Sequence, residues 1–417
     1  MKFFNLQNKI LNSLMLPFVL GSVILVAVEV ISLLNSYVTN SFTDVLYLHV
    51  ETLKEILGYI FCYFSVLMLT KGKSSIKAFA AVLCIALFNS AFKSAGGREV
   101  SYLLALILAC VFIFCFNKLS TAISYIIIPI ASLLFGYATG LLSGEIESML
   151  LNFSNSHFSD NVISAVLFGG INSIFTLFDS ELFSNLLYYK SAGGSLLYNE
   201  QMITGVKDLF ERGYSGNLVS VYLSGRYYQM FALLGLSVSV ANELKGIQKK
   251  VLLIVSFLSL ISGNLSLLIL FLTLENILML VPVILLSMLS YACAALLKLG
   301  VGHLGSGSII ELVMTLNGRW VYVLAGSAVL AVTGYFCAKY FIEKNGISDC
   351  LNVYIPTRLN SILKSLGGIE NIIRIKNGNA EVRNPQLVNF LNEDYEIRDN
   401  IIICKNNMIA DLEEYLE

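Results

Sequence analysis

The chain has 417 residues, 56% hydrophobic and 13% charged, with 27 Lys and Arg against 28 Asp and Glu. Soluble proteins carry about 25% charge, so this composition excludes a cytosolic enzyme, a nucleic-acid binder and a disordered scaffold, and a net charge of −1 gives no field to hold a polyanion. A mean hydropathy of +0.75 places the chain among integral membrane proteins.

Charge is spread unevenly, because residues 344–417 hold 8 Lys/Arg and 11 Asp/Glu. A long apolar body therefore precedes a short, soluble-looking tail. The eight cysteines form no CxxC pair and mostly lie in apolar runs, which reads as small hydrophobes rather than a disulfide or zinc framework.

A bilayer core needs about 20 apolar residues per helix. Uncharged runs of this kind are Leu14 to Leu34, Ile56 to Leu69, Ala78 to Phe92, Tyr102 to Phe116, Ala122 to Leu142, Val162 to Phe178, Leu218 to Val240, Val251 to Leu274, Ile277 to Leu297 and Val321 to Phe341. The first lacks a small-residue cleavage site and is expected to be a retained helix, not a signal peptide. Several runs are short for a full span, which predicts broken or re-entrant pieces at protein-buried positions. The expected fold class is an α-helical polytopic membrane protein of about ten membrane segments with re-entrant hairpins, followed by a small C-terminal α/β module.

Orientation follows the basic residues. Lys2 and Lys9 precede the first run and Lys71, Lys73 and Lys77 follow the second, which predicts a cytoplasmic N-terminus. Lys245, Lys249 and Lys250 belong on the same side, yet ten full crossings put them on the other. One segment near residues 162–216 that enters and leaves by one face resolves the conflict.

In the tail, Leu359, Ile362, Leu363 and Leu366 fall at helical spacing before Gly367 and Gly368, the pattern of an amphipathic helix with a glycine stop. Ile372 to Ile375 and Asn400 to Cys404 read as strands, Pro385 opens one further helix and Met408 to Leu416 forms another. The expected division is a membrane domain at 1–343, a linker at 344–356 and the tail module at 357–417.

Four stretches in order carry a family resemblance: "NLQNKILNSLMLPFVL" (Asn5 to Leu20), "VKDLFERGYSGNLVSVYLSGRYYQMFALLGLSVSVANELKGIQKK" (Val206 to Lys250), "LGVGHLGSGSIIELVM" (Leu299 to Met314) and "LKSLGGIENIIRIKNGNAEVRNPQLVNFL" (Leu363 to Leu391). Together they resemble the membrane subunit, IIC with a fused IIB domain, of the sugar phosphotransferase system, glucose superfamily. The resemblance implies a homodimeric permease of the cell inner membrane with both termini cytoplasmic, which moves a sugar while separate IIA and IIB phosphocarriers act on it. It implies no bound cofactor and no nucleic-acid partner.

The chain departs from that pattern where the chemistry lies. Ser266 in "GNLSL" stands where the family has its sugar-binding acid, the family's paired histidines fall opposite Glu181 and Leu182, and Gly378 stands where IIB has its phosphocysteine. A glycine cannot accept a phosphoryl group. The tail is therefore expected to be catalytically inert, and phosphotransferase activity would need another protein.

Ionisable groups at membrane depth face a cavity or a partner, because each costs about 2.5–3.5 kcal/mol on insertion scales. Arg226, in "YLSGRYYQM", suits either an oxygen-rich ligand or an ion pair with another helix. His303, among glycines, suits a ligand or a polar loop tip, and Glu311 coincides with the family's acidic position. Glu275 and Asn276 interrupt an apolar run and mark an interface. With the uncharged Asn172, Asn264 and Ser266, the candidate substrate-binding set is Asn172, Glu181, Arg226, Asn264, Ser266, His303 and Glu311. The sequence function is a divergent sugar permease; the alternative is a non-transporting regulator or sensor descended from one.

Overall fold

A continuous apolar run in lipid satisfies its backbone only by hydrogen-bonding to itself, and the runs of the body fold as helices. They are α1 (Met15–Tyr37), α2 (Ser41–Leu69), α3 (Ser75–Ser94), α4 (Tyr102–Lys118), α5 (Ser124–His157), α6 (Val162–Leu177), α7 (Ser224–Glu243), α8 (Gly246–Ser262), α9 (Ser266–Glu275), α10 (Leu280–Leu297), α11 (Ile309–Thr315) and α12 (Trp320–Asn345). The computed structural model describes residues 11–37, 41–70, 75–97, 101–118, 124–157, 161–177, 195–198, 201–206, 209, 212, 222–244, 246–297, 308–315, 320–345, 365–366, 371–376, 379–388, 395–398 and 401–404. The chain divides into two units, Lys2–Ser348 and Asp349–Glu417.

Among the described residues, six helices are long and apolar enough to cross a membrane: α1, α2, α3, α5, the stretch Ile277–Leu297 containing α10, and α12. The body is thus a helical multi-pass membrane protein. The expected run from Val251 to Leu274 is not one helix; it is broken at 263–265 into α8 and α9. Between α6 and α7 lies an antiparallel hairpin of β1 (Ser195–Tyr198) and β2 (Gln201–Thr204), which no apolar run of the sequence marks. α12 continues to Asn345, two residues into the expected linker.

Contacts along the helices fix their directions. Phe18 and Gly21 of α1 meet Phe61 and Leu57 of α2, so α2 runs back toward the start of α1. Lys77 at the start of α3 donates to Asn117 Oδ1 at the end of α4 at 2.6 Å. Gln248 at the start of α8 donates through Nε2 to Asn12 Oδ1 at 2.9 Å. One end of the bundle, here called the near end, therefore gathers Lys77, Lys118, Lys249 and Lys250.

α5 runs beside α3 in the same direction: Ser132 donates to Cys84 O at 2.7 Å, and Gly136 and Gly140 lie against the carbonyls of Phe88 and Phe92. It ends at the far end, where α6 begins. α7 and α12 run parallel at backbone contact, with Tyr228 against Gly326, Gly235 against the Ala331 carbonyl and Gly334 against the Ala232 carbonyl. Glycine at both crossing points permits this approach, as in small-residue helix pairs in membranes. α7 ends at Glu243, just before α8, so its start lies at the far end.

The main apolar core of the described residues draws mostly on α1, α2, α7, α8, α9, α10 and α12. Phe18 sets its geometry, making edge contacts with Phe61 at 5.3 Å and Phe271 at 5.0 Å. Long apolar side chains on α5, such as Ile126, Leu134 and Met149, point outward, as lipid-facing residues do.

In the C-terminal unit the described residues form an antiparallel sheet of β3 (Ile372–Lys376), β4 (Asn379–Val382), β5 (Tyr395–Arg398) and β6 (Ile401–Cys404), in the order β3-β4-β6-β5. Ala380, Val382 and Ile402 supply its buried face. The Asn371 side chain ties the unit together, donating to Leu366 O at 2.7 Å and Asn384 O at 3.0 Å and accepting from Asn384 N at 2.8 Å. The expected strands at 372–375 and 400–404 are present, and Pro385 opens a single 3-10 turn, Pro385–Leu387. The expected helices at 359–366 and 408–416 fall outside the described residues apart from Ser365 and Leu366, as does Gly378.

Candidate substrate-binding region

The break between α8 and α9 is built by local chemistry. Gly263 has φ +70°, a left-handed conformation that glycine adopts without a Cβ penalty. Asn264 Oδ1 then accepts from Ser266 N at 2.9 Å and from Ser266 Oγ at 2.6 Å, an Asx-type turn that starts α9. Arg226 on α7 donates through Nη2 to Gly263 O at 2.8 Å. Three sequence candidates, Arg226, Asn264 and Ser266, therefore meet at one turn. Their described hydrogen bonds hold the turn itself: Arg226 takes a backbone carbonyl, where a ligand or an acidic partner was expected.

α9 has 10 residues, about 15 Å at 1.5 Å per residue, half the thickness of a bilayer core of about 30 Å. It is buried on every side, with Leu267 to Leu272 no more than 1% exposed. Leu267 lies against Gly21 and Phe271 against Phe18, so α9 runs back toward the near end. α10 then reverses again, because Ser287 meets Gln229 and Tyr291 meets Gly225 of α7.

The reversal between α9 and α10 holds Glu275 and Asn276, 3% and 4% exposed. Asn276 Oδ1 accepts from Leu278 N at 2.8 Å and caps the short turn Ile277–Met279. Glu275 Oε2 is buried with no hydrogen-bond partner, and Glu275 makes no ion pair among the described residues. Its place at the C-terminus of α9 sets a carboxyl against the negative end of a helix dipole, while Arg226 lies at the positive end. Neither charge is placed where α9 alone favours it.

The remaining candidates lie on neighbouring helices. Asn172 is 1% exposed on α6, which packs against α9. Glu311 is 1% exposed in the first turn of α11, where its amide donates to Ser308 Oγ at 3.2 Å; α11 packs against α8. Glu181 and His303 are outside the described residues. Among the described residues no three His, Cys, Asp or Glu side chains gather as metal ligands.

A polar seam between α7, α10 and α12 was not singled out from sequence. Gln229 Nε2 donates to Ser287 Oγ at 2.8 Å, and Ser287 Oγ donates to Val283 O at 2.8 Å. Gln229 Oε1, the Tyr228 hydroxyl and the Ser327 hydroxyl are buried without hydrogen-bond partners among the described residues. A glutamine inside the apolar run 218–240 was a visible signal. Its partner 58 positions away was not.

Neither a protein-family model nor a curated protein matches the chain. The arrangement places buried polar side chains at both ends of the half-length α9 and on α6 and α7 near it.

Proposed function

We propose that this chain is a membrane permease for a sugar-like solute, built on the phosphotransferase IIC plan that its sequence resembles but without the means to phosphorylate through its own tail. One observation carries the reading: α9 is a buried half-length helix with polar reversals at both ends. Helices broken at membrane depth are how many transporters expose backbone and polar groups to cargo near the midplane. On this reading α8 and α9 form a hairpin from the near end, and the segment that begins with α6 enters from the far end. The basic residues at the near end make it the cytoplasmic face. The solute contacts are Glu275, Asn276 and Asn172, with Glu311 behind α8, while Arg226, Asn264 and Ser266 shape the hairpin tip. Phosphorylation, where it occurs, is done by separate IIA and IIB proteins, and the permease is a homodimer.

The dense apolar packing around α9 favours a second reading, a non-transporting regulator descended from a permease. Uptake of radiolabelled sugars by cells that express the chain but lack the phosphocarriers separates the two. Entry of free sugar, abolished by Glu275→Ala and Asn172→Ala, supports transport. Sugar binding without entry supports the regulator, and phosphorylated product made by this chain alone defeats the proposal.

A further inference from the structure

We propose that transport by this chain is coupled to protons, with Glu275 as the proton-carrying group; the inference rests on the permease reading above. Glu275 is 97% buried, counting the 3% exposure of its residue, and Oε2 accepts no hydrogen bond from the described residues. It lies at a reversal between two helices whose directions differ, a place that shifts if α9 moves against α10. The elements packed against α9 are α1, α6, α8, α10 and the turn Ile277–Met279. Their titratable or charged side chains are Glu29 and Tyr37 on α1, Lys249 and Lys250 in the first turn of α8, and Tyr291 and Cys293 on α10; α6 and the turn have none. None of them pairs with Glu275.

An unpaired buried carboxylate at the negative end of a helix is stabilised neither by solvent nor by a dipole. It fits a group that travels neutral and releases its proton on meeting water. The step is simple in its balance. The Glu275 carboxylate forms one O–H bond with a proton from the solution on one side, the loaded site turns over, and that bond breaks to deliver the proton to the other side. The solute crosses unchanged, and the proton gradient supplies the work that phosphorylation supplies in the family the chain resembles.

The full-length protein, purified and sealed in liposomes without phosphocarriers or nucleotides, is given an acid-outside pH gradient and offered radiolabelled glucose, N-acetylglucosamine and maltose. For one proton per sugar, a gradient of about one pH unit drives about tenfold accumulation. The native protein reaches about that ratio with one of the sugars and acidifies the lumen as sugar enters; with Glu275→Gln the ratio does not rise above about one and adding sugar does not acidify the lumen. Equal uptake with and without the gradient overturns the coupling and leaves the permease standing, whereas entry of no sugar removes both. A second measurement needs no variant. Dicyclohexylcarbodiimide attacks protonated buried carboxyls, so mass spectrometry is expected to find it on Glu275, with labelling that falls as the pH is raised. Absence of the adduct at every pH overturns the assignment.

Discussion

The Gln248 amide donates to the Asn12 side chain at 2.9 Å, across 236 positions of sequence. That bond ties the first turn of α8 to the approach of α1, and so puts Lys249 and Lys250 at the same end of the body as Asn12 and the start of α1. Counting ten complete crossings would separate them.

Single cysteines at Lys118 and Lys249, in a variant lacking the native thiols, are expected to react with a membrane-impermeant maleimide from the same side. In sealed spheroplasts both stay unlabelled until the membrane is opened. Labelling of one and not the other in intact spheroplasts would reverse the helix order described above.

Replacing Arg226 with Met leaves the Gly263 carbonyl without its charged donor. Hydrogen bonds to charged groups contribute about 1.5–3 kcal/mol, so R226M is expected to lower stability in detergent by roughly that amount, with R226K recovering part of it. Unchanged unfolding would mean the hairpin tip is held by something else.

Gly235 lies against the Ala331 carbonyl, and a Cβ there overlaps the backbone of α12. Gly235→Val is expected to force α7 and α12 apart and to destabilise by about 1–3 kcal/mol, the range for overpacked cores. The comparison is Gly246→Ala at an open position, where nothing lies within 4 Å, although its φ of +61° adds a smaller backbone strain. A chemical melt that ranks Gly246→Ala as the more damaging of the two contradicts the close crossing.

The Gln229–Ser287 pair is suited to a double-mutant cycle. Gln229→Leu and Ser287→Ala are expected to show a coupling of about 1 kcal/mol, measured by reversible unfolding in micelles. Strict additivity would mean that the two side chains do not interact in the protein.

Much of the body was readable because lipid imposes one rule on sequence: apolar, uncharged and long. α1, α3, α4, α10 and α12 follow their runs within a few residues. The same rule hid the break after Ser262, since "SGNLS" carries no charge and the hydrophobic signal passes through it. Gly263 and the Asn264–Ser266 spacing were local clues, and they explain the turn; the Arg226 bond that closes it spans 37 positions and left no mark in the sequence. Glu275 reads as the boundary of an interface because nothing in the chain tells how deep α9 ends. The β1–β2 hairpin was missed for the opposite reason. Its strands of four residues are too short and too mixed to stand out, and no Asn-Gly or Asp-Gly marks the turn.

The glycine contacts between α7 and α12 have a mechanical consequence. Two helices that touch carbonyl to α-carbon cannot slide or pivot on one another without breaking that fit, so they behave as a single strut. Any alternation that opens the body first to one side and then to the other must therefore swing this strut whole, or leave it still while the short α9 segment rocks beside it.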